Sequence, residues 1–414
     1  MRAVNKLMLP LLLPLLAVVP SDAQPTKTPP RSKATPPAKA PPSKPNEAPR
    51  KSRDPKSSKI RIFIGTYTGG DSDSKGIYQM VFDPTTGSLA LDGAPTEAVS
   101  PSFLALNHDG SRLFAVNETG NSATDAPGGV SSYAVDRPTG ALTLLSRTSS
   151  AGAAPCYLSL DNTQQRVLLA NYWGGSVMAL NIQPDGKLGS ASSFVRHMGE
   201  NPTPRDPGPH PHSIQVDPTD RWALVTDLGL DKLFVYPYDS VRGALGAARE
   251  VPAEKGAGPR HFVFDPDGRG VFVLNELNGT VTSYSFDPVT GTLAQEHTMS
   301  TLQQGYKGKN SSAEIALTPD GRFLYASNRG PDEIAIFAVE RPSRRLRRVG
   351  YQPTLGKHPR NFAIDPSGNF LVVANRDSNS VFVFKINQET GTLSPAAGPG
   401  RVPKPACVRL RRVS

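Results

Sequence analysis

Side chains able to move protons or hold anions recur in this 414-residue chain at matched places of a repeated pattern. His212, Arg260 and Arg360 each directly follow a proline (Pro211, Pro259, Pro359), and His261 and Glu314 occupy the next place along. Seventeen residues after the proline, or after Ser312 in its register, stand Glu118, Tyr172, Glu276, Arg329 and Arg376. Imidazole titrates near neutrality, and a carboxyl in a partly buried mouth is pushed toward the same range, so either His212 or Glu276 is suited to activating water or moving a proton. Arg260, Arg329, Arg360 and Arg376 offer planar donor forks that match a phosphate, a carboxylate or the oxyanion of a tetrahedral intermediate. A place repeated only for packing would read Val, Ile or Ala. Charges gathered there instead point to a small anionic ligand, or else to a ring of ion pairs locking the repeats together. His261, Glu314, Arg360, Arg376, Glu118 and Tyr172 are the expected substrate-binding set around a catalytic His212, Glu276, Arg260 and Arg329.

Other chemistry lacks support. The chain contains no G-x-S-x-G elbow, no Gly-rich loop ending in Lys-Ser/Thr and no H-E-x-x-H, which removes the serine-hydrolase, nucleotide-binding and zincin readings. His210-Pro-His212 could supply two metal ligands, but no Cys or Asp partner is evident nearby, and neither metal nor cofactor is assigned. Asn171-Tyr172-Trp173-Gly174-Gly175 is suited either to stacking a sugar or to anchoring a strand end.

The elements that position these groups follow from internal repetition. A turn motif recurs as FDPTTGSL (82–89), VDRPTGAL (135–142), IQPDGKL (182–188), YDSVRGAL (238–245), FDPVTGTL (286–293), VERPSRRL (339–346) and INQETGTL (386–393). Its Asp/Pro/Gly chemistry between alternating apolar runs marks a hairpin. A second motif, such as FDPDGRGVFVLNE (264–276) or IDPSGNFLVVANR (364–376), appears six times. Its missing seventh copy is split: RIFIGTY (61–67) matches the second half and PACVRL (405–410) the first. The pattern predicts an all-β, seven-bladed β-propeller closed by the C-terminal strand, which completes the first blade and removes the free edge of an open array. The inner strand of each blade then starts, and the next strand ends, at one mouth of the channel, which gathers the residues named above.

The ends of the chain read differently. Residues 1–23 have the pattern of a secretory signal: Arg2 and Lys6, the apolar run Leu7 to Val19, and Ser21-x-Ala23. That run falls short of the ~20 residues a spanning helix needs, so no transmembrane span is expected in the mature chain. Residues 24–59, rich in Pro, Lys, Ser and Ala, read as a disordered tether, leaving 60–414 for the propeller. The net charge is +10, but the tether holds ten Lys/Arg against Glu47 and Asp54, and residues 60–414 carry only +1. The charge therefore signals no nucleic acid. It allows contact of the basic tail with an anionic envelope, or simple solvation. The expected location is outside the cytoplasm, periplasmic or extracellular. Cys156 and Cys407 begin inner strands of blades separated by one other, so both are expected as free thiols.

GPHPHS (208–213), GPRHFVFDPDG (258–268), VLNEL (273–277) and FIGTYT (63–68) resemble the seven-bladed lactonase family, which includes bacterial 6-phosphogluconolactonases and fungal carboxy-muconate lactonising enzymes. The resemblance covers roughly residues 60–412. It implies a metal-independent lactonase or cyclase site carried by His212, Arg260 and Glu276 with a further arginine, for which Arg329 is the choice. The expected substrate is a lactone or sugar acid, and the expected reaction is hydrolysis of a sugar lactone. The alternatives are cycloisomerisation of an unsaturated dicarboxylic acid and a non-catalytic module that binds envelope polymer or protein.

Overall fold

The computed structural model describes residues 59–200 and 208–413. The expected leader, and all of the expected tether but Lys59, lie outside the described residues. Every regular element among the described residues is a strand, and the strands form seven antiparallel sheets. No described helix is long and apolar enough to cross a membrane.

Within a blade the strands differ in composition because they differ in surroundings. Second strands such as Arg166–Asn171, Gly270–Asn275 and Phe370–Asn375 are buried along their whole length. Both of their faces pack against neighbouring blades, so they read as unbroken apolar runs rather than alternating ones. Outer strands such as Leu142–Ser149 alternate between half-buried and exposed positions, as a sheet with one wet face requires.

The inner strands lie in a ring: Pro405–Arg412, Leu104–Leu106, Pro155–Leu160, Pro211–Val216, Pro259–Phe264, Ser312–Leu317 and Pro359–Ile364, each beside the next. Pro405–Arg412 pairs with Ile60–Thr66, Ile60 opposite Arg412 and Ile64 opposite Val408, so the end of the chain supplies the inner strand of the first blade as the split motif predicts. One strand starts late. In the second blade regular pairing begins at Leu104 rather than Pro101, although Phe103 still accepts from the Val116 N–H at 3.0 Å.

Two polar repeats turn out to be structural. In the second motif, Asp161, Asp217 and Asp365 are fully buried and accept backbone N–H groups of their own turns, as from Arg221 and Trp222 to Asp217 at 2.9 and 2.8 Å. Asp265, also buried, takes Arg341 and Arg344 from the next blade. The last residue of each complete second strand is Asn or Asp (Asn117, Asn171, Asp227, Asn275, Asn328, Asn375), and all are buried. Asn328, for example, donates to the Thr301 carbonyl at 2.9 Å and accepts from Ser312 and Thr301 hydroxyls at 2.8 and 2.9 Å, because a buried amide must be satisfied. Cys156 and Cys407 are buried free thiols, and burial pushes both up.

Candidate active site

The same local irregularity opens six of the seven inner strands. In the fourth blade Pro211 pairs with Asp227 and Ser213 with Thr226, leaving His212 as an extra residue. The fifth blade leaves out Arg260 in this way, the seventh Arg360, the third Cys156 and the first Ala406, while the sixth leaves out Ala313 and Glu314. These are β-bulges, which release a side chain from the strict alternation of a strand and re-aim it. On the partner strand, the N–H of the residue after the strand end returns to the carbonyl before the proline. Examples are Glu276 to Gly258 at 2.8 Å, Arg329 to Ser311 at 3.2 Å, Tyr172 to Ala154 at 2.8 Å and Tyr67 to Lys404 at 3.1 Å. The backbone thus fixes both sets of side chains at one mouth.

There they line a cavity of about 190 Å³ formed by Glu118, Cys156, Tyr172, Trp173, His212, Glu276, Arg329 and Arg360. Glu276 is its electrostatic centre. One carboxylate oxygen meets Arg329 Nη2 and the other Arg260 Nε, both at 2.8 Å. Burial pushes the Glu276 carboxyl up, but Arg329 and Arg260 outweigh it and hold the group below its usual range. This reverses the upward shift expected from the sequence, which shows no sign that two guanidiniums converge on one carboxylate. His212 is also corrected. Burial first, and then Arg260, His261 and Arg360, hold its pKa well below the ordinary histidine range, so the ring is neutral at pH 7. Its Nδ1 lies 3.8 Å from the Cys156 thiol and its ring packs edge-on to Tyr172 and His261.

The arginines divide. Arg329 lines the cavity while donating from Nε to Ser311 O at 2.9 Å. Arg360 lines it with its guanidinium 5.1 Å from the centre of the Tyr67 ring, and it makes no ion pair among the described residues. Arg260 does not reach the cavity: only 2% exposed, it stands behind Glu276 and donates to Ala313 O. Arg376 is not brought in at all. Its side chain is 30% exposed and turned to Asp377, 2.7 Å away, because the residue after it in sequence supplies the carboxylate.

His261 and Glu314 lie beneath the mouth, in the channel. His261 Nδ1 is 3.0 Å from Glu314, and its Nε2 is 3.2 Å from Arg260 Nη1. Burial lifts Glu314 to about 7 against the pull of Arg409 and the Ile315 N–H, and Asn361 donates to its second oxygen. Glu118 accepts from Tyr67 at 3.1 Å and from Ser102. Tyr67 bonds Glu118 and faces Arg360, and Trp173, in the segment suited to stacking a sugar, lines the cavity. Tyr67 holds the matched place in the split first blade, and Trp173 follows Tyr172 directly. His210, the other half of the potential metal pair, stacks on Tyr172 at 4.5 Å. No three His, Cys, Asp or Glu side chains converge as a metal site among the described residues.

The family described as "Lactonase, 7-bladed beta-propeller" matches residues 61–410. A 6-phosphogluconolactonase of Bacillus subtilis is 34% identical over 349 residues, covering 84% of this chain and 97% of the relative. A 6-phosphogluconolactonase of Formosa agariphila is 32% identical over 73% of this chain and 86% of its own length. The structure of the periplasmic gluconolactonase of Pseudomonas aeruginosa superposes with TM-score 0.80 at 33% identity, over 86% of this chain and all of the other. With the seven blades, their closure and this extent of match, the chain belongs to the seven-bladed β-propeller lactonase family.

Proposed function

We propose that the protein hydrolyses a sugar lactone of the gluconolactone type at this mouth, and that the 6-phosphorylated form is its better substrate. The observation that carries the choice is Arg360, a half-buried guanidinium that lines the cavity and makes no ion pair among the described residues. Burial works against its charge, but Tyr67, Glu118 and Glu276 outweigh it and keep the group cationic, and a guanidinium fork meets a phosphate or carboxylate bidentately. The 6-phosphogluconolactonase relative matches most of this chain in sequence, and the periplasmic gluconolactonase shares its fold.

His212 is the better candidate base. Both oxygens of Glu276 are engaged by arginines and its proton affinity is depressed, whereas His212 is neutral and lines the cavity. In this reading His212 takes a proton from water as the oxygen attacks the lactone carbonyl. Arg329, held by Glu276, receives the oxyanion. Collapse breaks the ring C–O bond, and the imidazolium returns the proton to the departing alkoxide, giving the open hydroxy acid. An anionic group on Arg360 cancels one of the charges that depress His212, so substrate binding itself strengthens the base.

The test is hydrolysis of fresh 6-phosphogluconolactone and of unphosphorylated gluconolactone by the full chain, with a no-enzyme control. Arg360→Ala is expected to lower kcat/KM about 10²-fold for the phosphorylated lactone and only a few-fold for the other. Turnover of neither lactone, or full turnover by His212→Ala, overturns the assignment. We also propose export, on the strength of the pattern in residues 1–23 and the periplasmic relative, which places the substrate outside the cytoplasm.

A further inference from the structure

Two acids and two arginines line the cavity at the mouth, and they do not balance in pairs. Glu276 is taken by Arg329 and, from behind, by Arg260. Glu118 and Arg360 are left over, and neither makes an ion pair among the described residues.

The fold builds this separation. Ser102 directly follows Pro101, the place that carries His212, Arg260 and Arg360 in other blades, and its hydroxyl donates to Glu118. The Glu118 N–H is held by Ser100 O at 3.0 Å. The Tyr67 hydroxyl donates to both Glu118 oxygens, at 3.2 and 3.1 Å, while its ring lies 5.1 Å from the Arg360 guanidinium. Two hydroxyls thus hold the carboxylate on the second blade, and one aromatic ring supports the cation on the seventh. Glu118 is near enough to help keep Arg360 cationic, yet forms no ion pair with it. The cavity is therefore dipolar. A carboxylate accepts hydrogen bonds and repels anions, so the fitting ligand turns an anionic group to Arg360 and hydroxyl donors to Glu118. A polyhydroxy lactone with a phosphate at one end does this. A dicarboxylic acid brings a second anion toward Glu118, with Arg329 already shared with Glu276.

We propose that Glu118 is the specificity-determining residue of this mouth: it accepts hydroxyls of the sugar ring, turns the anionic end of the lactone to Arg360, and rejects dicarboxylic acids. The inference rests on the lactonase reading of the same cavity.

The test uses the full chain and Glu118→Gln. The amide is satisfied in the same place, its oxygen accepting from Tyr67 and its nitrogen donating to the Ser102 hydroxyl, so the variant probes charge rather than folding. The first readout is kcat/KM for gluconolactone over that for δ-valerolactone, the same ring without hydroxyls. This ratio is expected to fall about tenfold in the variant, the difference between a charge-assisted hydrogen bond and a neutral one. The second needs no turnover: calorimetric titration with adipate, a dicarboxylate, and with hexanoate, which lacks the second carboxylate. The affinity of adipate relative to hexanoate is expected to rise about tenfold in the variant, because the second carboxylate no longer meets an anion. Such a gain cannot come from a damaged fold. Turnover of gluconolactone with either ratio unchanged overturns the role of Glu118 and leaves the lactonase. Turnover of neither lactone with the adipate gain intact overturns the lactonase and supports Glu118 as the pole that excludes a second anion. No turnover and no gain overturn both.

Discussion

In the proposed reaction Arg260 and Glu276 act without touching substrate. Arg260 is packed behind the carboxylate, tied to Ala313 O and to His261, and its Nε reaches Glu276 at 2.8 Å. Arg260→Ala is expected to lower kcat about 10²-fold, with KM changed far less, because it loosens the carboxylate that aims Arg329. Arg260→Lys is expected not to restore it, since a point charge cannot serve Glu276 and Ala313 together. Steady-state kinetics of the two variants checks both statements. The pH dependence follows from His212. A base must be unprotonated, and burial with Arg260, His261 and Arg360 lowers the pKa of this one. The acid limb of kcat/KM is therefore expected to inflect below 6.5, with activity flat through neutrality. An inflection at or above 6.5 would exclude His212 as the base. The sequence located these residues by their places in the repeat but could not tell their directions. Arg360 and Arg376 look equivalent on paper, yet one faces the cavity and the other is captured by Asp377.

At the scale of elements, the bulge that opens the inner strands does what alternation cannot. A regular strand would alternate His212 and Ser213 between its two faces, as it would Arg260 and His261. The extra residue instead turns toward the mouth and its successor rejoins the ladder. The repeat made the strands and hairpins legible, because apolar period and turn chemistry are local. Bulges were not legible, since an extra residue shows only against its partner strand. The buried asparagines were also passed over. Polar types at a repeated place suggested chemistry at the neighbouring position, whereas Asn328 at its own place is structural, holding a carbonyl and two hydroxyls. Asn328→Ala strands these groups in a dry site and is expected to cost about 2–3 kcal/mol. The measurement is the urea midpoint at an unchanged m-value. A loss below about 0.5 kcal/mol would place the stabilisation elsewhere.

For the molecule as a whole, the ring has to be closed before the mouth exists. Arg360 and Tyr67 meet only because the seventh blade abuts the first, and the first blade is complete only when Pro405–Arg412 adds to Ile60–Thr66. The closing strand also buries Cys407 and Val408, and Val408 N–H donates to Asn361 Oδ1 at 2.9 Å, reaching across to the seventh blade and, through Asn361, to Glu314. A chain ending at Pro403 would therefore leave Ile60–Thr66 as an unpaired apolar edge facing the channel. It is expected to lose soluble yield and all turnover. The alternative explanation for such a loss, that the last residues contribute chemistry, is tested by moving them. Val413 N–H bonds to Lys59 O at 2.8 Å, so a chain running 404–413, a short glycine turn, then 59–403 can form the same sheet with the first blade as a continuous hairpin series. This permutant is expected to fold and to turn over lactone with unchanged KM. Its Tm should be lower, because the seam between seventh and first blades is now held by packing alone. A permutant as stable as the original would show that the covalent link across the seam contributes nothing, and an inactive but folded one would move the role of these residues from closure to catalysis.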